Sequence, residues 1–140
     1  MKHFASRGAL VALALLCSSC ASSPQAGALS ARAASHIGET APQLGLPRSL
    51  WCADFMNMLL GRQGASRAAL SYARYGAPAA PGCTDCIAVI APPRRGLHWH
   101  VGVVTSYDAN GNPVIISGNQ GRAVGEGIYP RARVRYWRAP

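Results

Sequence analysis

Acidic side chains are scarce in this sequence. Five Asp and Glu stand against fourteen Lys and Arg over 140 residues, a formal net charge of +9 at pH 7. Lysine is nearly absent as well. Beyond Cys20 the basic residues are all arginine, twelve against five acids (Glu39, Asp54, Asp85, Asp108 and Glu126), a balance of +7. Such a balance favours polyanions, so nucleic acid, anionic envelope polymers and acidic lipid head groups all come into question. No apolar run reaches the about 20 residues that cross a bilayer, which excludes an ordinary membrane span. There is no internal repeat and no heptad, which excludes solenoid and coiled-coil architectures. Zinc ligands at finger spacing are missing too. Cys83, Cys86, His98 and His100 supply two pairs, but a single residue between the histidines is too few for such sites. No metal and no cofactor is expected.

What is present begins with an export signal. Lys2, His3 and Arg7 precede the apolar run of residues 9–16, the pattern of a basic n-region and a signal h-region over residues 1–20. Cys17-Ser18-Ser19-Cys20 resembles a bacterial lipoprotein box, with Cys17 where an aliphatic residue is usual. Cys20 would then carry the lipid, and that anchor would be the only link to a membrane. Ala26-Gly27-Ala28 offers an ordinary small-x-small cleavage site as the alternative. Export to a bacterial periplasm or cell envelope argues against nucleic acid and leaves anionic envelope polymers or lipid head groups as polyanionic partners. Residues 21–45 are rich in Ala, Ser, Gly and Pro without periodicity, and read as a flexible tether. Residues 46–140 suffice for one small domain with one core.

Cysteine number fits this compartment. After Cys20 come Cys52, Cys83 and Cys86. An odd count in an oxidising environment implies one pair and one free thiol. Cys83 and Cys86 are the obvious pair, leaving Cys52 free.

The domain reads as α+β, with N-terminal helices packed on an antiparallel β-sheet. Ser49 is a fair N-cap for a helix over residues 50–60, with Phe55, Met58 and Leu59 on one face and Gly61 as the stop. A second helix is expected over residues 66–75, ended by Gly76, with a loop over 77–82. The continuous apolar run 86–90 suits a central strand. Further strands are expected over 99–107, 114–117 and 134–137. Residues 108–112, Asp-Ala-Asn-Gly-Asn, form the turn of a hairpin. Residues 118–127 read as loop.

The chemistry lies in an order of residue types. Cys52 opens the first predicted helix, His100 starts a strand, and Asn119 follows on a later segment. A thiol needs a base and the base needs an orienter. A helix N-terminus favours the thiolate, and its free amides can face an oxyanion. His100 is the expected base. The Gly102 that follows it would leave room for substrate or helix. His98, two residues before, shares its strand face and is expected at the rim. Asn119 is expected to fix the imidazole. Trp51, Ser49, Gln120 and His98 are the candidates for substrate or oxyanion contacts. Asp54 suits a helix N-terminus but would raise the thiol pKa if it pointed inward.

At these residues the chain resembles the CHAP family, cysteine- and histidine-dependent amidohydrolases and peptidases of bacterial cell walls. The resemblance rests on Trp51-Cys52-Ala53-x-Phe55-x-Asn57, on Ala73, Tyr75 and Gly76, and on Asp85 with Ile87-Ala88-Val89. It continues in His100-Val101-Gly102-Val103-Val104 and Gly118-Asn119-Gln120, and covers residues 44–137. It implies a papain-like fold that cleaves amide bonds of peptidoglycan stem peptides through a thioester. Cys52 would be the nucleophile, His100 the general base and acid, and Asn119 the orienter. The alternative is a catalytically silent, wall-binding envelope lipoprotein of the same fold.

Overall fold

The computed structural model describes residues 28–140. The expected signal segment with Cys20, and residues 21–27, lie outside the described residues.

Six antiparallel strands form one sheet in the order β1-β6-β2-β3-β4-β5. They are β1 Ala77–Pro78, β2 Cys86–Ile90, β3 His100–Tyr107, β4 Pro113–Gln120, β5 Ala123–Ile128 and β6 Val134–Ala139. Helices α1 (Ala28–Ala34) and α2 (Cys52–Leu59), with a 3₁₀ turn at Ala69–Arg74, complete an α+β fold. β2 is buried along its whole length. Its alternate residues feed two cores. Ile87 and Val89 join Val101, Val103, Ile116 and the helices on one face. Ala88 and Ile90 join Val104, Ile115 and Trp137 on the other.

The tether reading fails from residue 28 onward. Leu29 and Ala33, one helical turn apart on α1, are buried with Ala41 in the helix-side core. Ser30 N–H donates to Asp85 Oδ1 at 2.7 Å. Gly38 and Glu39 exchange backbone hydrogen bonds with Val124 of β5, and the His36 ring meets Phe55 edge-on at 6.0 Å. Alanine-rich composition imitates a linker, yet small side chains also let a short helix lie close on a sheet.

Helix α2 begins at Cys52, two residues later than expected, and Ser49 does not cap it. Trp51 holds the cap position without a side-chain bond. Leu50, at φ 51, turns the chain just before it, so Ser49 cannot reach the first turn. The Ser49 carbonyl instead accepts from Arg67 Nη2 at 3.2 Å. The expected stop is in place. Gly61 is left-handed at φ 64, and Arg62 N–H reaches Asn57 O at 2.8 Å, closing a Schellman motif. The second helix shortens to the 3₁₀ turn, pinned to α2 where Tyr72 Oη donates to Asn57 Oδ1 at 2.6 Å. The expected loop 118–127 contains the end of β4 and nearly all of β5. Its glycines hide the strand. Gly127 must be small, because a Cβ there would lie 2.6 Å from Gln120 Nε2.

Candidate active site

Cys52 is the free cysteine among the described residues, since Cys83 and Cys86 form a disulfide. It is set by contact between α2 and β4. Trp51 and Phe55, ring centroids 6.4 Å apart, straddle it in sequence and press on Gly118. Cys52 is only 5% exposed. It looks into a cleft of about 220 Å³ whose wall includes Leu50, Arg67, Leu70, Leu97, His98 and Trp99.

The thiol lies against the start of β3. Burial pushes its pKa up from the ordinary value, and the backbone N–H groups of Val101, Ala53 and Cys52 itself pull it down in part. The Asp54 charge adds to the rise. That charge is met by Arg67, whose Nε reaches both carboxylate oxygens at 3.0 Å. The Val101 amide at the sulfur makes His100 the adjoining residue in sequence.

His100 pairs across the sheet with Ile90, and its ring stacks at 30° and 5.6 Å on Tyr129. Its Nε2 lies 2.7 Å from Ser117 Oγ. The Ser117 hydroxyl donates to Gln120 Oε1 at 3.5 Å, and Tyr129 Oη donates to the same oxygen at 2.6 Å. Ser117 thus engages Nε2, and when Nε2 carries the proton Nδ1 has the lone pair that a base requires. Burial, and then the Arg133 charge, lower the imidazole from 6.5 to about 4. At neutral pH thiol and imidazole are therefore both uncharged. This replaces the expected thiolate at the helix N-terminus.

Four expectations about neighbouring residues change. Among the described residues the imidazole meets Ser117, not Asn119. Asn119 is left-handed at φ 60 and lines a separate cleft with Thr40, Arg48, Trp51 and Arg122. Gln120 is drawn to Ser117 and Tyr129 rather than to a substrate. Trp51, 1% exposed, is chiefly core. The space at Gly102 is filled by Ile115 and Ser117, since a Cβ there would come within 2.5 Å of Ile115 Cγ2 and 2.8 Å of Ser117 Cβ. His98 stands exposed at the rim of the thiol cleft. Ser117 and Tyr129 carry no sequence signal of their own; strand register brings them to His100. Among the described residues no group of three or more His, Cys, Asp and Glu side chains could hold a metal ion.

The partly buried imidazole makes stability depend on pH. Its folded value lies below the ordinary one, so on acidification the unfolded chain binds the proton first. The stabilisation is complete above about pH 6.5 and is lost between about pH 6.5 and 4, worth about 3 kcal/mol at ~1.36 kcal/mol per unit. Urea unfolding across this range should show the loss in the parent and a flatter profile in His100→Gln. Equal profiles would mean that the imidazole is not held neutral by its burial.

Compared with protein-family models, with curated proteins and with solved structures, the chain matches none.

Proposed function

We propose that this protein is an exported cysteine amidohydrolase or endopeptidase that cleaves amide bonds of peptidoglycan stem peptides, with a papain-like fold of the CHAP kind. The observation that carries it is the oriented imidazole of His100, held by Ser117 at 2.7 Å, on the residue next to the amide that contacts the Cys52 thiol. The signal-like N-terminus supports the periplasm or cell envelope as the site of action, with Cys20 as the lipid anchor.

In the reaction Cys52 Sγ attacks the amide carbon while His100 Nδ1 takes the thiol proton. The first-turn N–H groups of Cys52 and Ala53, which face the resting sulfur, turn to the oxyanion as the sulfur lone pair forms the new bond. His100 returns the proton to the leaving amine as the C–N bond breaks, and a thioester remains. Water then adds with His100 again as base; the C–S bond breaks, the acid leaves and the thiol is restored. General-base transfer in the transition state replaces a preformed ion pair, as the neutral thiol and imidazole require.

Purified peptidoglycan incubated with the protein should gain free amino groups, and mass spectrometry should identify one class of cut peptide. No new amine at any protein concentration would overturn the proposal. A second reading, a wall-binding envelope protein without turnover, is favoured by the buried and protonated thiol and by the arginine excess. It requires salt-sensitive cosedimentation with walls and no new amine.

A further inference from the structure

We propose that the groove running from Cys52 past Leu70 to Tyr136 and Arg74 is a peptide subsite, taking apolar side chains on its walls and a free carboxylate at Arg74. The inference deepens the hydrolase reading and rests on it for the direction of the peptide toward the thiol.

Two clefts make the groove. The one holding Cys52 shares Ala68 and Leu70 with a second, of about 560 Å³, that continues to Arg74 and Tyr136. Exposed apolar side chains gather here. Of six large ones among the described residues, four line these two clefts: Leu50 at 47%, Leu70 at 41%, Leu97 at 44% and Tyr136 at 38%. Single exposed apolar residues are ordinary, but a cluster around a groove marks a binding surface. Trp99 and Tyr136, 6.4 Å between ring centroids, link the two parts.

Charge selects the ligand. No Asp or Glu lines either cleft. Arg67 is engaged with Asp54 and the Ser49 carbonyl. Arg74 is exposed and has no hydrogen bond or ion pair among the described residues, while Arg138 lies over the Tyr136 ring at 6.0 Å. The far end therefore offers uncompensated positive charge beside apolar walls. A peptide with apolar side chains and a carboxylate matches both features, whereas a uniformly charged polymer leaves the leucines and Tyr136 without partners.

The test uses soluble stem peptides in two forms, with carboxylates free or converted to carboxamides. Binding is followed by calorimetry on Cys52→Ala protein and hydrolysis on protein with Cys52 intact, each with and without Arg74→Gln. The free form should bind about tenfold more tightly than the amide form, and Arg74→Gln should erase that difference. Leu70→Ser should weaken both forms. In hydrolysis the change should fall on KM rather than kcat. If Arg74→Gln still separates the two forms as before, or if both bind equally, the groove proposal is wrong, even where hydrolysis proceeds. If binding discriminates but the protein with Cys52 intact releases no amine, the subsite stands and the hydrolase reading falls. If polyphosphate displaces the peptide and loses its own binding through Arg74→Gln but not Leu70→Ser, the groove serves phosphate polymers and the peptide proposal is overturned.

Discussion

Under the proposed mechanism Cys52→Ser is expected to lower amide hydrolysis about a thousandfold or more, although one atom changes. The reason lies in the base. An imidazole held at about 4 is a weak acceptor, able to share a thiol proton in the transition state but poorly matched to the far less acidic hydroxyl. His100→Ala should cost between about a hundredfold and ten-thousandfold, the range for general acid–base catalysis. Far-UV circular dichroism should remain that of the parent in both variants. The small electrophile iodoacetamide gives the complementary readout. Because burial raises the thiol pKa, labelling at neutral pH should be slow in the parent and little changed by His100→Ala. A preformed thiolate–imidazolium pair predicts the reverse, with rapid labelling that collapses without His100. Hydrolysis by Cys52→Ser at the parent rate would remove this thiol from the mechanism.

Gly118→Ala should disturb the candidate site without touching Cys52 or His100. A Cβ on Gly118 would lie 2.7 Å from both Phe55 Cβ and Trp51 Cε3. Neither can yield locally, because Phe55 is 0% and Trp51 1% exposed. The start of α2 must therefore lift from β4 and carry Cys52 with it. Overpacking of this kind costs about 1–3 kcal/mol, and each kcal/mol lowers Tm by roughly 4–8 °C in a domain of this size. A displacement of Cys52 by about 1 Å would cost about a hundredfold in rate. Gly125→Ala is the control, since its Cβ would meet only the Gln120 side chain, at 3.4 Å and beyond. A Gly118→Ala protein with parental Tm and activity would show that α2 is not held by this contact.

Some of this architecture is legible in the sequence. Phe55, Met58 and Leu59 repeat at helical spacing, the 86–90 run is apolar throughout, and residues 108–112 carry strong turn chemistry. These signals are local, and the corresponding elements are α2, β2 and the β3–β4 hairpin. Helix α1 and strand β5 lacked such signals. Alanine and glycine have little side chain to announce a buried face, and both elements exist because they find partners far along the chain. Leu50 misled in another way: a bulky residue in the left-handed region is an outlier that propensity does not foresee.

The site divides along the same line. The sequence alone determined the order of thiol, imidazole and polar residue, and that Cys52 would be left unpaired once Cys83 and Cys86 join. Tertiary structure alone decided which group holds the imidazole. Val103 pairs with Ile116 across β3 and β4, which sets Ser117 beside Gly102 and within reach of His100. Beyond Ser117 the pairing of β4 with β5 slips, and Asn119 turns left-handed and away. Residues two apart share a face of a regular strand, so only the irregularity after Ser117, which spacing does not announce, separates Ser117 from Asn119 as the partner. The charge states of Cys52 and His100 were likewise decided by burial, which no spacing records and which leaves both neutral near pH 7.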